Sequence, residues 1–163
     1  MKKIVSFLFL FSLMLMFSAQ NKKKAIDQLM TQWHEAAAKA DFNSYFGTLH
    51  ENSFYMGTDA TERWNKKDFS AFSKPYFDRK KAWNFTALKR NINISKDGKT
   101  AWIDELLNTQ MKICRGSGVL VFENGRWQII QYVLSMTIPN DISNEVTKMK
   151  SNEEDELMQE LRK

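Results

Sequence analysis

Arg115-Gly-Ser-Gly-Val-Leu-Val-Phe-Glu-Asn-Gly-Arg-Trp-Gln-Ile-Ile-Gln-Tyr-Val-Leu-Ser-Met-Thr-Ile-Pro139 contains two apolar runs joined by Asn124-Gly125. That dipeptide tolerates the positive φ angles of a two-residue hairpin turn better than any other L-residue pair, so the stretch predicts two antiparallel strands. In strict alternation the second run shows Trp127, Ile129, Gln131, Val133 and Ser135 on one face. Gln128, Ile130, Tyr132, Leu134 and Met136 take the other. Both faces are mostly apolar, which predicts a central strand covered on both sides. Arg115, Ser117, Gln131, Tyr132 and Ser135 are expected to carry polar tips into or beside that covered space. A curved sheet with a semi-polar interior is a pocket-forming arrangement.

Upstream, Lys24 to Ala40 reads as an amphipathic helix, with Ile26, Leu29, Met30, Trp33, Ala36, Ala37 and Ala40 at three- and four-residue spacing. Asp41 is placed to cap a short second helix bearing Phe42, Tyr45, Phe46 and Leu49. Asn52 to Met56 reads as a strand ending at Gly57, and Asn65 as the cap of a helix with Phe69, Phe72, Tyr76 and Phe77 on one face. Pro75 inside that pattern is expected to kink or split the helix. Trp83 to Ile94 and Thr100 to Thr109 read as strands. The apolar parity of the former switches between Phe85 and Ile92, which predicts a bulge. Asp141 is placed to cap a last helix with Ile142, Val146 and Met149 on one face, and the tail from Ser151 is highly charged. Helices followed by an antiparallel meander predict an α+β fold with helices on one side of the sheet.

The chain opens with Lys2-Lys3 and a 14-residue apolar run, Ile4 to Phe17, followed by small residues. This is the order of a secretory signal peptide, and a spanning helix would need about 20 apolar residues. The expected organisation is a signal peptide at 1–20, one domain at 21–150 and a charged tail at 151–163, the mature protein being periplasmic or secreted without a stable membrane anchor. Setting aside Lys2 and Lys3, the basic excess over 19 acidic residues falls from five to three, and Lys22, Lys23 and Lys24 cluster at the new terminus. Such a solvated end is no phosphate footprint, so nucleic acid is not an expected partner. Cys114 is the only cysteine, which excludes an internal disulfide, and reads as a small buried hydrophobe. No Cys/His or carboxylate cluster has metal-ligand spacing and no glycine-rich loop suits a phosphate, so neither metal nor cofactor is expected.

Three segments carry a family resemblance: Trp33-His-Glu-Ala-Ala-Ala-Lys-Ala-Asp41, Phe54-Tyr-Met-Gly-Thr-Asp59 and Gly125-Arg-Trp-Gln-Ile-Ile130. With the order of elements, they resemble the SnoaL-like branch of the nuclear transport factor 2-like superfamily over about Lys24 to Asn140. Gly57-Thr-Asp-Ala-Thr-Glu-Arg-Trp64 and Arg115-Gly-Ser-Gly-Val-Leu120 look like a subgroup of exported bacterial members. The resemblance implies a cone-shaped α+β barrel, cystatin-like, whose curved and mainly antiparallel sheet wraps around N-terminal helices and encloses a pocket. It does not imply one activity, because the fold hosts isomerases, dehydratases, cyclases and non-catalytic modules.

Ketosteroid isomerase shares the general fold, and its logic joins an aspartate base to a tyrosine and a protonated acid in an apolar site. No residue here aligns on its catalytic positions. Asp59 and Asp104 are the acids placed to approach a cavity as a base, with Tyr55, Tyr76 and Tyr132 as donors. Asp59 equally suits a turn after Gly57-Thr58, where a short acid satisfies free backbone N–H groups. Asp104 and Glu105 are adjacent, so on a strand they face opposite ways and form no close dyad. One is expected to line the pocket while the other is solvated or paired with Arg115 or Arg90. Arg115 suits either an anionic ligand group or a salt bridge across the sheet. His34 borders the apolar face of the first helix and reads as a packed histidine. Trp64, Trp83, Trp102, Tyr76 and Tyr55, with Gln131 and Tyr132, are the expected pocket lining, which favours a flat, apolar or semi-polar small molecule. The expectation is a binding protein. The alternatives are a cofactor-independent lyase or isomerase acting on a flat carbonyl compound, and an interaction module with a filled pocket. A sheet apolar on both faces, with helices over one, also predicts a homodimer through the other.

Overall fold

The computed structural model describes the backbone of residues 2–163 and the side chains from 20 onward. Of the segment read as a signal peptide, only the backbone and Gln20 are therefore described, and its cleavage lies outside what the structure tests. α1 (Lys2–Ala38) includes the predicted amphipathic stretch and buries Ile26, Met30, Trp33, Ala36 and Ala37. The chain reverses at Ala40, which has a φ of 52°. α2 (Phe42–Gly47) follows, capped as expected by Asp41, whose carboxylate accepts from Ser44 N–H at 3.1 Å.

α3 (Lys66–Asp78) begins at Asn65, whose side-chain oxygen accepts from Asp68 N–H at 2.9 Å. Pro75 does not split it. The proline sits in the last turn, and Arg79 N–H closes the helix on the Pro75 and Phe77 carbonyls. A lost hydrogen bond costs least where the helix is already ending. The last helix, α4 (Ser143–Leu161), runs straight across the expected tail boundary and buries none of its residues. Asp141 does not cap it but lies in a preceding 3-10 turn, Asn140–Ile142.

The strands are β1 (Leu49–Met56), β2 (Arg63–Asn65), β3 (Thr86–Ile94), β4 (Thr100–Thr109), β5 (Lys112–Glu123) and β6 (Arg126–Met136). They form one sheet in the order β2-β1-β6-β5-β4-β3. Only the β1–β6 pair is parallel, so the sheet is mixed; it curves over the helices without closing. The β5–β6 hairpin turns at Asn124 and Gly125 with φ of 52° and 78°, the pairing that a two-residue turn demands. β3 bulges at Leu88, between Ala87 and Lys89. This carries the inward set from Phe85 and Ala87 to Arg90, Ile92 and Ile94, as the parity switch predicted.

A second bulge was not legible in advance. Ile129 pairs with Leu120 and Gln131 with Val119, leaving Ile130 extra in β6. One inserted residue reverses the alternation. Ile129 and Tyr132 therefore share the inner face, while Gln131 and Ser135 turn outward and are exposed.

The inner face meets the helices in a dense aromatic layer. Trp33 stacks on Tyr45 at 4.9 Å between ring centroids and meets Tyr132 edge-on at 4.7 Å. Phe69 and Phe77 of α3 are each at most 2% exposed. Burying such a side chain contributes about 1.5–3 kcal/mol, so this layer fixes the sheet against the helices.

Candidate functional site

Within this apolar layer sits one carboxylate. Glu105 shares the inward face of β4 with Ala101, Ile103 and Leu107 and is 1% exposed. Three groups hold it. The His34 Nε2–H donates to Oε1 at 2.8 Å, the Tyr132 hydroxyl donates to the same oxygen at 2.7 Å, and Arg90 Nε–H donates to Oε2 at 2.7 Å. Arg90 continues to α1, where its Nη1 donates to the Asp27 carboxylate at 2.7 Å, the Asp27 carbonyl at 2.9 Å and the Thr31 hydroxyl at 3.1 Å. Its Nη2 is buried with no hydrogen-bond partner. Burial alone would push the Glu105 carboxyl upward. The hydrogen bond and charge of His34, the charge of Arg90 and the Tyr132 hydroxyl outweigh it and hold the group below its ordinary value. Burial and the Glu105 charge push the Tyr132 phenol far up, so it stays protonated and donates. An ionised carboxylate with its oxygens engaged is a structural anchor tying α1 to the sheet, and a poor base.

Gly116 lies directly opposite Glu105 in the β4–β5 register. A Cβ there would overlap the Tyr132 hydroxyl and approach Glu105 Cγ at 3.0 Å, so the glycine makes the space in which tyrosine and carboxylate meet. The role is close packing, as alternating glycines in a strand suggest.

Above this network is a cleft of about 210 Å³. Its walls come from the end of β1 (Tyr55), the 57–62 loop (Gly57, Thr58, Glu62), Trp64 of β2, Phe69 and Phe72 of α3, Trp83 and Phe85 ahead of β3, Gln110, and Leu134 of β6. Tyr55 stacks on Phe69 at 4.1 Å and Trp64 on Phe72 at 4.8 Å. The floor joins the network below, since Tyr55 lies 5.8 Å from the Tyr132 ring and Phe85 lies 6.1 Å from His34. Neither Glu105 nor Tyr132 lines the cleft.

Of the residues singled out in the sequence, Tyr55, Trp64 and Trp83 come together in this cleft, with Tyr132 one layer beneath. The others lie elsewhere. Asp59 sits in an exposed turn and accepts from the Thr61 hydroxyl at 2.6 Å and the Thr61 N–H at 2.8 Å, the two bonds that lower its pKa. Asp104 faces the outer side of the sheet and accepts from the Asn91 amide at 2.9 Å. Trp102, Arg115 and Gln131 are exposed on that outer side. Tyr76 is exposed on α3, with the Arg79 guanidinium 5.2 Å from its ring centre. Cys114 is fully buried, its sulfur 3.5 Å from the Thr109 hydroxyl.

Sequence reasoning weighed Glu105 only as the neighbour of Asp104 and Arg90 only as an ion-pair partner, and it passed over Glu62. For the first two a signal existed: each shares strand parity with apolar neighbours, once the β3 bulge is allowed for. Glu62 has no such signal, because a loop closure brings it to the cleft. Among the described residues no group of three or more His, Cys, Asp or Glu side chains is placed to hold a metal ion.

Solved structures share this architecture. An NTF2-like protein of Pseudomonas putida has a TM-score of 0.63 at 14% identity, covering 76% of this chain and 91% of its own. The association domain of CaMKII from C. elegans has a TM-score of 0.61 at 19% identity, covering 73% and 98%. A domain with a cystatin-like fold from Nostoc punctiforme has a TM-score of 0.63 at 13% identity, covering 87% and 97%. At these identities the likeness is one of fold. No curated protein matches the chain. The sequence match is at family level: it covers residues 26–139, from the first buried side chain among the described residues to the proline after β6, and the chain belongs to the SnoaL-like domain family.

Proposed function

We propose that this protein binds a compact, flat, largely apolar small molecule in the cleft above the Glu105 network. The observation that carries the reading is the lining: six aromatic side chains, Tyr55, Trp64, Phe69, Phe72, Trp83 and Phe85, around about 210 Å³. Drug-sized ligands occupy about 300–1,000 Å³, whereas a cavity of about 150 Å³ holds benzene, so the ligand is the size of one substituted ring. Binding is favoured over turnover because the one deeply buried acid is already satisfied and lies outside the cleft. Benzyl alcohol serves as a neutral probe and should change the fluorescence of Trp64 and Trp83 with an affinity on the order of millimolar, given its few atoms. Phe72→Ala, which removes an exposed wall without opening the core, should weaken it about tenfold. No saturable change with the probe, or equal binding in Phe72→Ala, would exclude the cleft as the binding site.

The same proposal includes a homodimer through the outer face of the sheet. The helices cover the inner face, and Trp102 and Ile113 remain exposed on the outer one, Trp102 at 49%, beside the half-buried Leu106, Val119 and Val133. An apolar face of this kind is unusual on a monomer. CaMKII's association domain, which shares the fold, is by its name an assembling module. Light scattering at micromolar concentration should return twice the 19.1 kDa chain mass, less the mass of any cleaved leader, and Trp102→Glu should return half of that. A monomer throughout that range sinks the dimer.

A further inference from the structure

Resting on the small-molecule reading above, we propose that the cleft is selective for an organic cation, an ammonium group on a ring-sized apolar body, with the Glu62 carboxylate as its counter-charge. Glu62 is the only charged residue in the lining; Thr58 and Gln110 are neutral, and no lysine or arginine reaches it. The carboxylate makes no ion pair among the described residues. Its one hydrogen bond accepts from Asp59 N–H at 3.3 Å, a long contact that leaves most of its acceptor capacity free.

Local backbone chemistry puts it there. Gly57 N–H donates to the Glu62 carbonyl at 3.0 Å and Glu62 N–H to the Asp59 carbonyl at 3.1 Å, closing the loop between β1 and β2. A Cβ at Gly57 would overlap Glu62 Oε2, so glycine is the residue that lets the carboxylate lie against the strand end. The natural neutralising partner is next in sequence and turned away. Arg63 begins β2, where successive side chains alternate, and its guanidinium lies 4.0 Å from the centre of the Phe54 ring, outside the cleft. The wall opposite the charge is aromatic, and ring faces attract cations through their quadrupole, more strongly when water is excluded. Burial, with the Glu62 charge beside it, pushes the Tyr55 phenol well up, so that ring is uncharged at any ordinary pH. One anionic edge and an aromatic enclosure together favour a cation over a neutral molecule and exclude an anion.

The test compares benzylammonium, benzyl alcohol and benzoate, three probes of one shape and different charge, by calorimetry and tryptophan fluorescence on the whole protein. Benzylammonium should bind about tenfold more tightly than benzyl alcohol at low salt, and benzoate most weakly. Glu62→Gln, isosteric and on a partly exposed loop, should bring the ratio of benzylammonium to benzyl alcohol affinity down to about one. Equal binding of cation and alcohol, or a preference surviving in Glu62→Gln, overturns the inference and leaves the binding cleft standing. Failure of all three probes, with the variant's melting temperature unchanged, overturns the inference together with the cleft it rests on.

Discussion

Glu105→Gln is expected to lower the stability of the fold by about 3 kcal/mol, the low end of the cost of breaking a buried ion pair. The side chain keeps its shape, so the loss reports charge and hydrogen bonding rather than a cavity. Arg90 would keep Asp27 and Thr31 but lose the Nε partner at 2.7 Å, and its Nη2 is already unpaired. Stranded charge in a dry interior is the largest single penalty available in this domain. For a chain of this size the melting temperature should fall by about 6–12 °C. The pH profile carries the second half of the expectation. The folded carboxyl titrates below its ordinary 4.5, so its contribution is fully present above that value and is lost as pH falls through the lowered one. The unmodified protein should therefore lose stability on acidification below pH 4.5, and Glu105→Gln should lose that part of the slope. Thermal melts from pH 7 down to about pH 3 measure both. A variant within about 0.5 kcal/mol of the parent at pH 7 would show that the network does not hold α1 to the sheet.

Gly116→Ala is the second large effect, at about 2–3 kcal/mol, although it adds a single methyl group. The new Cβ would overlap the Tyr132 hydroxyl, and that ring cannot retreat, being held edge-on by Trp33 at 4.7 Å and stacked near Tyr55 at 5.8 Å. Any shift that relieved the overlap would lengthen the 2.7 Å hydrogen bond to Glu105. Tyr132→Phe in the Gly116→Ala background should recover part of the loss, a coupling of about 1 kcal/mol between touching sites. Gly47→Ala is the contrast, since nothing lies within 4 Å of a Cβ there, and it should change stability by less than about 1 kcal/mol. Denaturant midpoints for Gly116→Ala, Tyr132→Phe, their double variant and Gly47→Ala decide the matter. Additive losses in the double variant would mean that glycine serves strand bending and not the tyrosine.

Local rules set by the chain alone were legible without a fold. Asn124-Gly125 takes its turn because few other residues adopt two successive positive φ angles. Asp41 and Asn65 cap helices because their short oxygens reach the free N–H groups beside them, and the parity switch before Ile92 announces the bulge at Leu88. The apolar spacing of α1 and the α+β order follow from periodicities of the sequence itself. Several faces were not legible. Ile130 is extra in β6, but both faces of that strand are apolar, so alternation continues undisturbed on either side of a slip that sends Tyr132 inward and Gln131 outward. Asp104 and Glu105 are chemically almost the same and adjacent. Only pairing with Gly116, and the approach of His34 and Arg90 from elements far along the chain, makes Glu105 the buried one. The cleft is further still from the sequence, for Glu62, the Trp83–Phe85 stretch, Gln110 and Leu134 belong to separate segments. Backbone conformation is dictated by neighbours a few bonds away, and the sequence by itself determines it. Which side chains share one enclosed space depends on register and bulges settled by packing across the sheet, and that only the tertiary structure decides.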